Sequence, residues 1–312
     1  MLSRILPLLF TFVFLWGWIG TACALSIPVT APDGTLEQIP ATAFKPDGPG
    51  PFPGVVILHD CSGLGPKSSG APGRWARELV QRGYFVLLPD SFTTRGHAGG
   101  VCTNASPSRA EVGPYRRVRD AYAALDYLRT LPYVDGRRVG LMGGSHGGST
   151  TLVSMVAPES DKEPLARERR EGFAAAVALY PGCAARLGSW RADLSGVYKS
   201  VAPLLILIGE KDDWTPAEPC CKLTEAAQAA GYPVTIKVYP GAYHSFDSNN
   251  PVRYVAARVN ANSRSGRGAT TGGNADAWAD SIREVTAFFG QHLMQMNSQR
   301  PDSDERPVPR TR

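Results

Sequence analysis

The sequence predicts an α/β protein: a mostly parallel sheet flanked by helices on both faces. Three observations predict it. Several short runs, among them "GVVILH" (54–59) and "PLLILIGE" (203–210), are almost wholly apolar, as strands buried on both faces must be. Segments with helical spacing separate these runs, which is the alternation that crossover connections produce. No internal repeat and no interdomain linker interrupts the pattern, and about 270 mature residues suit one large α/β domain or two small ones.

The elements follow in order. Residues 26–44 read as an irregular hairpin with turns at "PDG" and "KPDG". The strand 54–59 leads to a helix over 74–83 that stops at Gly83, and "YFVLLPD" (84–90) is a second buried strand. Residues 111–131 form an amphipathic helix with Val118, Tyr122, Leu125 and Leu128 on one face. "RRVGLMG" (137–143) is a third strand and "SHGGSTTLVSMVA" (145–157) the next helix. "FAAAVALYPG" (173–182) and residues 203–210 are strands, 216–231 a helix ending at Gly231, 234–241 a strand, and 275–293 the closing helix. The polar, Gly-rich stretch 248–273 reads as a long surface loop near the site, and with 187–200 it shapes the pocket.

The N-terminus carries Arg4, then an apolar run with no charge until Asp33, and "ACA" at 22–24. The expected organisation is therefore a signal peptide over 1–24 cleaved after Ala24, one domain over 25–294, and a charged, Pro-rich tail over 295–312 that cannot bury apolar area and stays disordered. Such a chain is exported to the periplasm or secreted. Retention of the run as a membrane anchor is an alternative; lipidation at Cys23 is another, although Gly20 stands where a lipoprotein box has Leu. The net charge of +5 is spread along the chain, without the basic stripe of a nucleic-acid binder. No Cys/His spacing suits a metal, and no cofactor is expected.

In an exported protein the cysteines are disulfide candidates. Cys183 follows one strand and Cys220 opens the helix after the next. If those strands are neighbours, both cysteines lie at one sheet edge and can pair. By the same logic Cys61 pairs with Cys102, leaving Cys221 free.

Ser145 sits in "GGSHG" (143–147), a G-x-S-x-G pattern that follows a buried strand and opens a helix. That is the setting of a nucleophile elbow, where a tight turn lifts the serine above the sheet edge. A serine hydroxyl needs a base, and on this architecture the acid and then the histidine follow it along the chain. Asp212, in "LIGEKDDWTP", lies just past one strand end and His244, in "YPGAYHSFD", just past the last, at the carboxyl edge where open α/β sheets build their sites. His97, His146 and His292 lack such a position.

With those pieces in view, the chain resembles the dienelactone hydrolase family of α/β-hydrolases over roughly residues 50–293. "ILHDCSGL", "GYFVLLPDSF", "GLMGGSHGG", "LIGEKDDWTP" and "YHSFD" carry the resemblance. The family's founding members bear cysteine at the nucleophile position; Ser145 makes this chain more similar to the serine-bearing, carboxylesterase-like branch. The resemblance implies an oxyanion hole from the backbone N–H groups of His146 and Cys61. It aligns Asp60 with an acidic residue that contacts the nucleophile in the cysteine enzymes, and Arg95 with an arginine that holds the substrate carboxylate. It selects Asp212 over Asp213 through the spacing G-x-x-D-x-x-x-P. The expected activity is hydrolysis of a small-molecule ester or lactone through an acyl-enzyme. A peptidase on the same fold and a catalytically silent binding protein are the alternatives.

Overall fold

The computed structural model describes residues 22–184 and 196–294. Most of the expected leader, the tail 295–312 and residues 187–195 of the pocket-shaping segment lie outside the described residues. Two strands, β1 (Ala22–Thr30) and β2 (Leu36–Phe44), make the entry hairpin. It is regular over nine paired positions, so Ala22, Cys23 and Ala24 sit on the first strand opposite Phe44, Ala43 and Thr42.

The core strands are β3 (Phe52–Leu58), β4 (Phe85–Pro89), β5 (Val134–Gly144), β6 (Ala175–Leu179), β7 (Leu204–Gly209) and β8 (Val234–Tyr239). With the hairpin they form one eight-stranded sheet in the order β1-β2-β4-β3-β5-β6-β7-β8. Pairing from β4 to β8 is parallel, and β2 joins β4 antiparallel. The helices are α1 (Ala71–Val80), α2 (Pro114–Arg129), α3 (His146–Met155), α4 (Ala166–Arg170), α5 (Ala217–Ala229) and α6 (Ala275–Phe289). The wholly apolar runs are buried along their length: every residue of β4, β6 and β7 is in the core. Among the described residues, no helix is long and apolar enough to cross a membrane.

Several boundaries differ from expectation. The helix expected over 111–131 starts at Pro114, because Gly113 takes extended backbone and a 3₁₀ turn, Pro107–Val112, precedes it. Proline has no N–H to lose at a first helical position, so it starts the helix there. The stretch 248–273 is no irregular loop. It holds a second, antiparallel ribbon of β9 (Arg253–Val259) and β10 (Arg267–Thr271). Three side chains pin this ribbon to the segment after β7. Asp213 accepts from the Thr270 amide and hydroxyl, both at 2.8 Å; Trp214 Nε1 donates to the Val259 carbonyl at 2.8 Å; Asn260 donates to the Asp213 carbonyl at 3.0 Å.

Disulfides join Cys61 to Cys102 and Cys183 to Cys220. Strands β6 and β7 are neighbours, which brings Cys183 and Cys220 to one edge. Cys23 and Cys221 remain free thiols. The Cys183–Cys220 link spans 37 residues and holds the segment that carries Asp212. Loop closure of that size contributes about 4 kcal/mol in the chain-entropy model. The double variant Cys183→Ala/Cys220→Ala is expected to lose about that much stability in urea unfolding; an unchanged midpoint and slope would count against a clamping role.

Candidate active site

The central strand β5 runs into Ser145, and α3 begins immediately after it. Ser145 has φ 52° and ψ −112°, a strained conformation for a residue with a side chain. Its amide donates to the Leu179 carbonyl at 2.9 Å and its carbonyl accepts from Ser149 N–H at 2.7 Å, which fixes the turn from both sides. Close approach explains the flanking glycines. A Cβ on Gly143 would stand 2.4 Å from the Gly147 carbonyl carbon, and one on Gly147 would stand 2.1 Å from the Leu58 carbonyl oxygen. Neither position has room for a side chain.

His244 lies beyond the end of β8, wholly buried. Its Nε2 is 2.8 Å from Ser145 Oγ, and its Nδ1 is 2.7 Å from Asp212 Oδ2. The imidazole is held edge-on by Tyr180 and tilted against Trp214, each ring centroid 4.7 Å away. Asp212 Oδ1 accepts the Trp214 and Thr215 amides at 3.0 and 2.8 Å, so the carboxylate cannot swing away from the ring. Asp213, its neighbour, points to Thr270 instead. A carboxylate, an imidazole and a hydroxyl joined in this order can move the hydroxyl proton to the imidazole while the carboxylate holds the tautomer.

Two backbone amides without a backbone partner belong to residues of the same cavity. Cys61 and His146 line the same cavity as Ser145, and among the described residues neither amide donates to another backbone group. His146 opens α3, so its N–H also stands at the positive end of that helix. Ser145 divides two lobes. One, of about 530 Å³, is mostly apolar and includes the Cys61–Cys102 disulfide, Pro107, Pro114 and Val259. The other, of about 290 Å³, is polar and includes Lys67, Arg253 and Arg258.

The sequence model of the dienelactone hydrolase family matches residues 39–293. The chain belongs to the dienelactone hydrolase family. Among curated relatives, a Methylorubrum extorquens protein provisionally named a carboxymethylenebutenolidase is 27% identical over 224 residues, covering 70% of this chain and 71% of that one. The acylamino-acid-releasing enzyme of Rattus norvegicus is 25% identical over 68% of this chain but only 31% of its own length. A solved dienelactone hydrolase-like promiscuous phosphotriesterase from metagenomic libraries superposes with a TM-score of 0.60 at 22% identity, over 88% of this chain and all of that one (100%). Thermogutta terrifontis esterase 2, phosphorylated by paraoxon, gives 0.58 at 18% identity, over 86% and 94%. These structural likenesses establish the fold.

Two family-derived expectations meet the structure differently. Asp60 lines the polar lobe beside Ser145, but its carboxylate is occupied by Ser62 N–H at 2.7 Å and by the Ser62 and Ser69 hydroxyls at 2.5 Å. Arg95, expected to hold the substrate carboxylate, lines neither lobe beside Ser145. Its guanidinium donates from Nε and Nη2 to Glu37, from Nη1 and Nη2 to Asp120, and from Nη1 to the Ser91 carbonyl. Every donor is spent, and Arg95 faces a separate groove beside Glu37 and Arg116. Other cations, Lys67, Arg253 and Arg258, line the polar lobe instead. Arg258 reaches it from the ribbon, stacked over the Trp214 ring at 4.8 Å, with burial lowering its pKa. Arg258 lay in a stretch that the sequence marks only as polar. The other residues missed from sequence, Tyr180 and Trp214, had one faint signal: each closely follows a buried strand end. The cluster Asp60, Cys61 and Cys102 brings three potential metal ligands together, but both sulfurs are spent on each other.

Proposed function

We propose that this dienelactone hydrolase family member is a serine hydrolase of carboxylic esters or lactones, working through a Ser145–His244–Asp212 triad. The observation that carries the reading is the unbroken chain Ser145 Oγ, His244 Nε2, His244 Nδ1, Asp212 Oδ2, with links of 2.8 and 2.7 Å. His244 takes the hydroxyl proton as Ser145 attacks the carbonyl. The oxyanion accepts from the Cys61 and His146 amides, and each such donor contributes roughly 2.7–4 kcal/mol to the barrier difference. The protonated His244 then passes its proton to the departing alkoxide, and water repeats the sequence in reverse on the acyl-enzyme. Asp212 keeps the Nδ1 proton in place throughout.

The two lobes suit a substrate with an apolar part on one side of the ester and an acidic part on the other. Among the described residues, Lys67, Arg253 and Arg258 form no ion pair with a carboxylate. Arg258→Met is expected to raise KM roughly tenfold for an ester bearing a carboxylate, the worth of one charged hydrogen bond, and to leave a neutral ester near its wild-type value. Equal effects on both esters would remove Arg258 from recognition. Two disulfides fit an oxidising compartment, so we place the enzyme outside the cytoplasm, exported by its N-terminal segment. Turnover of a panel of p-nitrophenyl esters, lactones and N-acyl aminoacyl amides tests the reading. Ester or lactone turnover well above that of the amides is expected; the reverse order would favour the peptidase reading.

A further inference from the structure

A second histidine, not part of the proton relay, sits where the oxyanion donor of Cys61 is made. His59 follows β3 directly and is 0% exposed. Its Nε2 accepts the Ser91 N–H at 3.2 Å. A backbone amide can only donate, so this nitrogen carries a lone pair and the ring proton is on Nδ1. Nδ1 lies 2.8 Å from the Asp60 carbonyl oxygen and therefore donates to it. The ring packs edge-on against Phe92, with centroids 4.4 Å apart, which fixes its plane. Burial and the nearby Arg117 charge keep it neutral, well below the usual histidine range.

The Asp60 carbonyl and the Cys61 N–H are two ends of one planar peptide group. A hydrogen bond to the carbonyl pulls electron density toward oxygen and leaves the N–H at the far end a stronger donor. It also sets the plane of the peptide, and with it the direction of the N–H. Gly63 N–H adds a second bond to the same oxygen at 3.2 Å, and Val101 N–H holds the next carbonyl, that of Cys61, at 2.7 Å.

We propose that His59 is a positioning residue for the oxyanion hole: its Nδ1–H grips the Asp60–Cys61 peptide and both aims and strengthens the Cys61 N–H. The inference rests on Ser145 as nucleophile and the Cys61 amide as oxyanion donor. His59 touches no substrate; its effect passes through the peptide and therefore falls on the transition state, where the oxyanion exists, and not on substrate binding.

The test uses the full chain with three variants. Asparagine places an N–H near the Nδ1 position, glutamine places one near Nε2, and leucine has none. Each is assayed for kcat and KM with p-nitrophenyl butyrate. Each is also assayed for affinity toward a trifluoromethyl ketone, which forms a tetrahedral oxyanion on the serine, and toward the matching unreactive alcohol. For His59→Leu and His59→Gln, kcat is expected to fall roughly 10- to 100-fold with KM nearly constant, a fraction of the loss on deleting an oxyanion donor. Trifluoromethyl ketone affinity is expected to fall by a similar factor while the alcohol binds as before, and His59→Asn recovers most of both. If the leucine variant does not fold, the asparagine–glutamine pair decides. Equal kcat in those two, or a loss expressed in KM alone, overturns the role of His59. A wild-type protein that neither turns over the ester nor binds the ketone overturns the serine mechanism and the inference together.

Discussion

Replacing Ser145 by alanine is expected to abolish ester turnover while the fold persists, with kcat reduced by roughly 10⁴- to 10⁶-fold. His244→Ala should do the same, and the double variant should be no worse than either single one. On the proposed mechanism both side chains serve one proton transfer: with Ser145 Oγ 2.8 Å from His244 Nε2, neither has a function in the attack without the other. Residual rate comes from the two oxyanion amides and from substrate binding, which these changes leave in place. Additive losses in the double variant would mean that the two residues act in separate steps. Ser145 also has φ 52°, so alanine inherits the strain while losing the hydroxyl; melting curves close to wild type establish that a lost rate is chemical.

The second large effect separates two adjacent carboxylates. Asp212→Asn is expected to lower kcat by about 10⁴-fold, as when the orienting acid of such a triad is made neutral, because asparagine stabilises the wrong histidine tautomer. Asp213→Asn should cost far less, since Asp213 bonds Thr270 and serves the ribbon instead of the ring. Any loss there should appear mainly in KM, through movement of the ribbon, to which Trp214 is bonded at Val259. Steady-state kinetics of the two variants side by side checks this, and a larger kcat loss for Asp213→Asn would contradict the geometry.

Most of the sheet was legible because a strand buried on both faces leaves an unmistakable apolar run. Val55–Leu58, Val86–Leu88 and Leu204–Ile208 are all in the core. The placement of Ser145, Asp212 and His244 was legible for a related reason: Ser145 and Asp212 follow closely on buried runs and His244 follows the half-exposed edge strand β8, so the carboxyl edge of the sheet gathers them without any knowledge of the loops. The β9–β10 ribbon was not legible. Strand β9 is mostly exposed, with Tyr254 at 64%, and β10 buries only small residues such as Ala269, so no alternation of large apolar and polar residues marks its strands. The ion pairs of Arg95 were not legible because its partners, Glu37 and Asp120, lie far away in sequence, and only the fold brings them together. His59 and Arg258 gave no signal for the same reason: a lone histidine or arginine has no spacing to read.

The proposed mechanism makes Ser145 an activated nucleophile. Reaction with a fluorophosphonate, followed by intact-mass and peptide mapping, tests it most directly, because only a hydroxyl with a working base and oxyanion hole displaces fluoride at phosphorus. A single adduct on Ser145 is expected in the wild-type protein and none in Ser145→Ala or His244→Ala. An unlabelled wild-type protein, or an adduct on another residue that persists in Ser145→Ala, would contradict it.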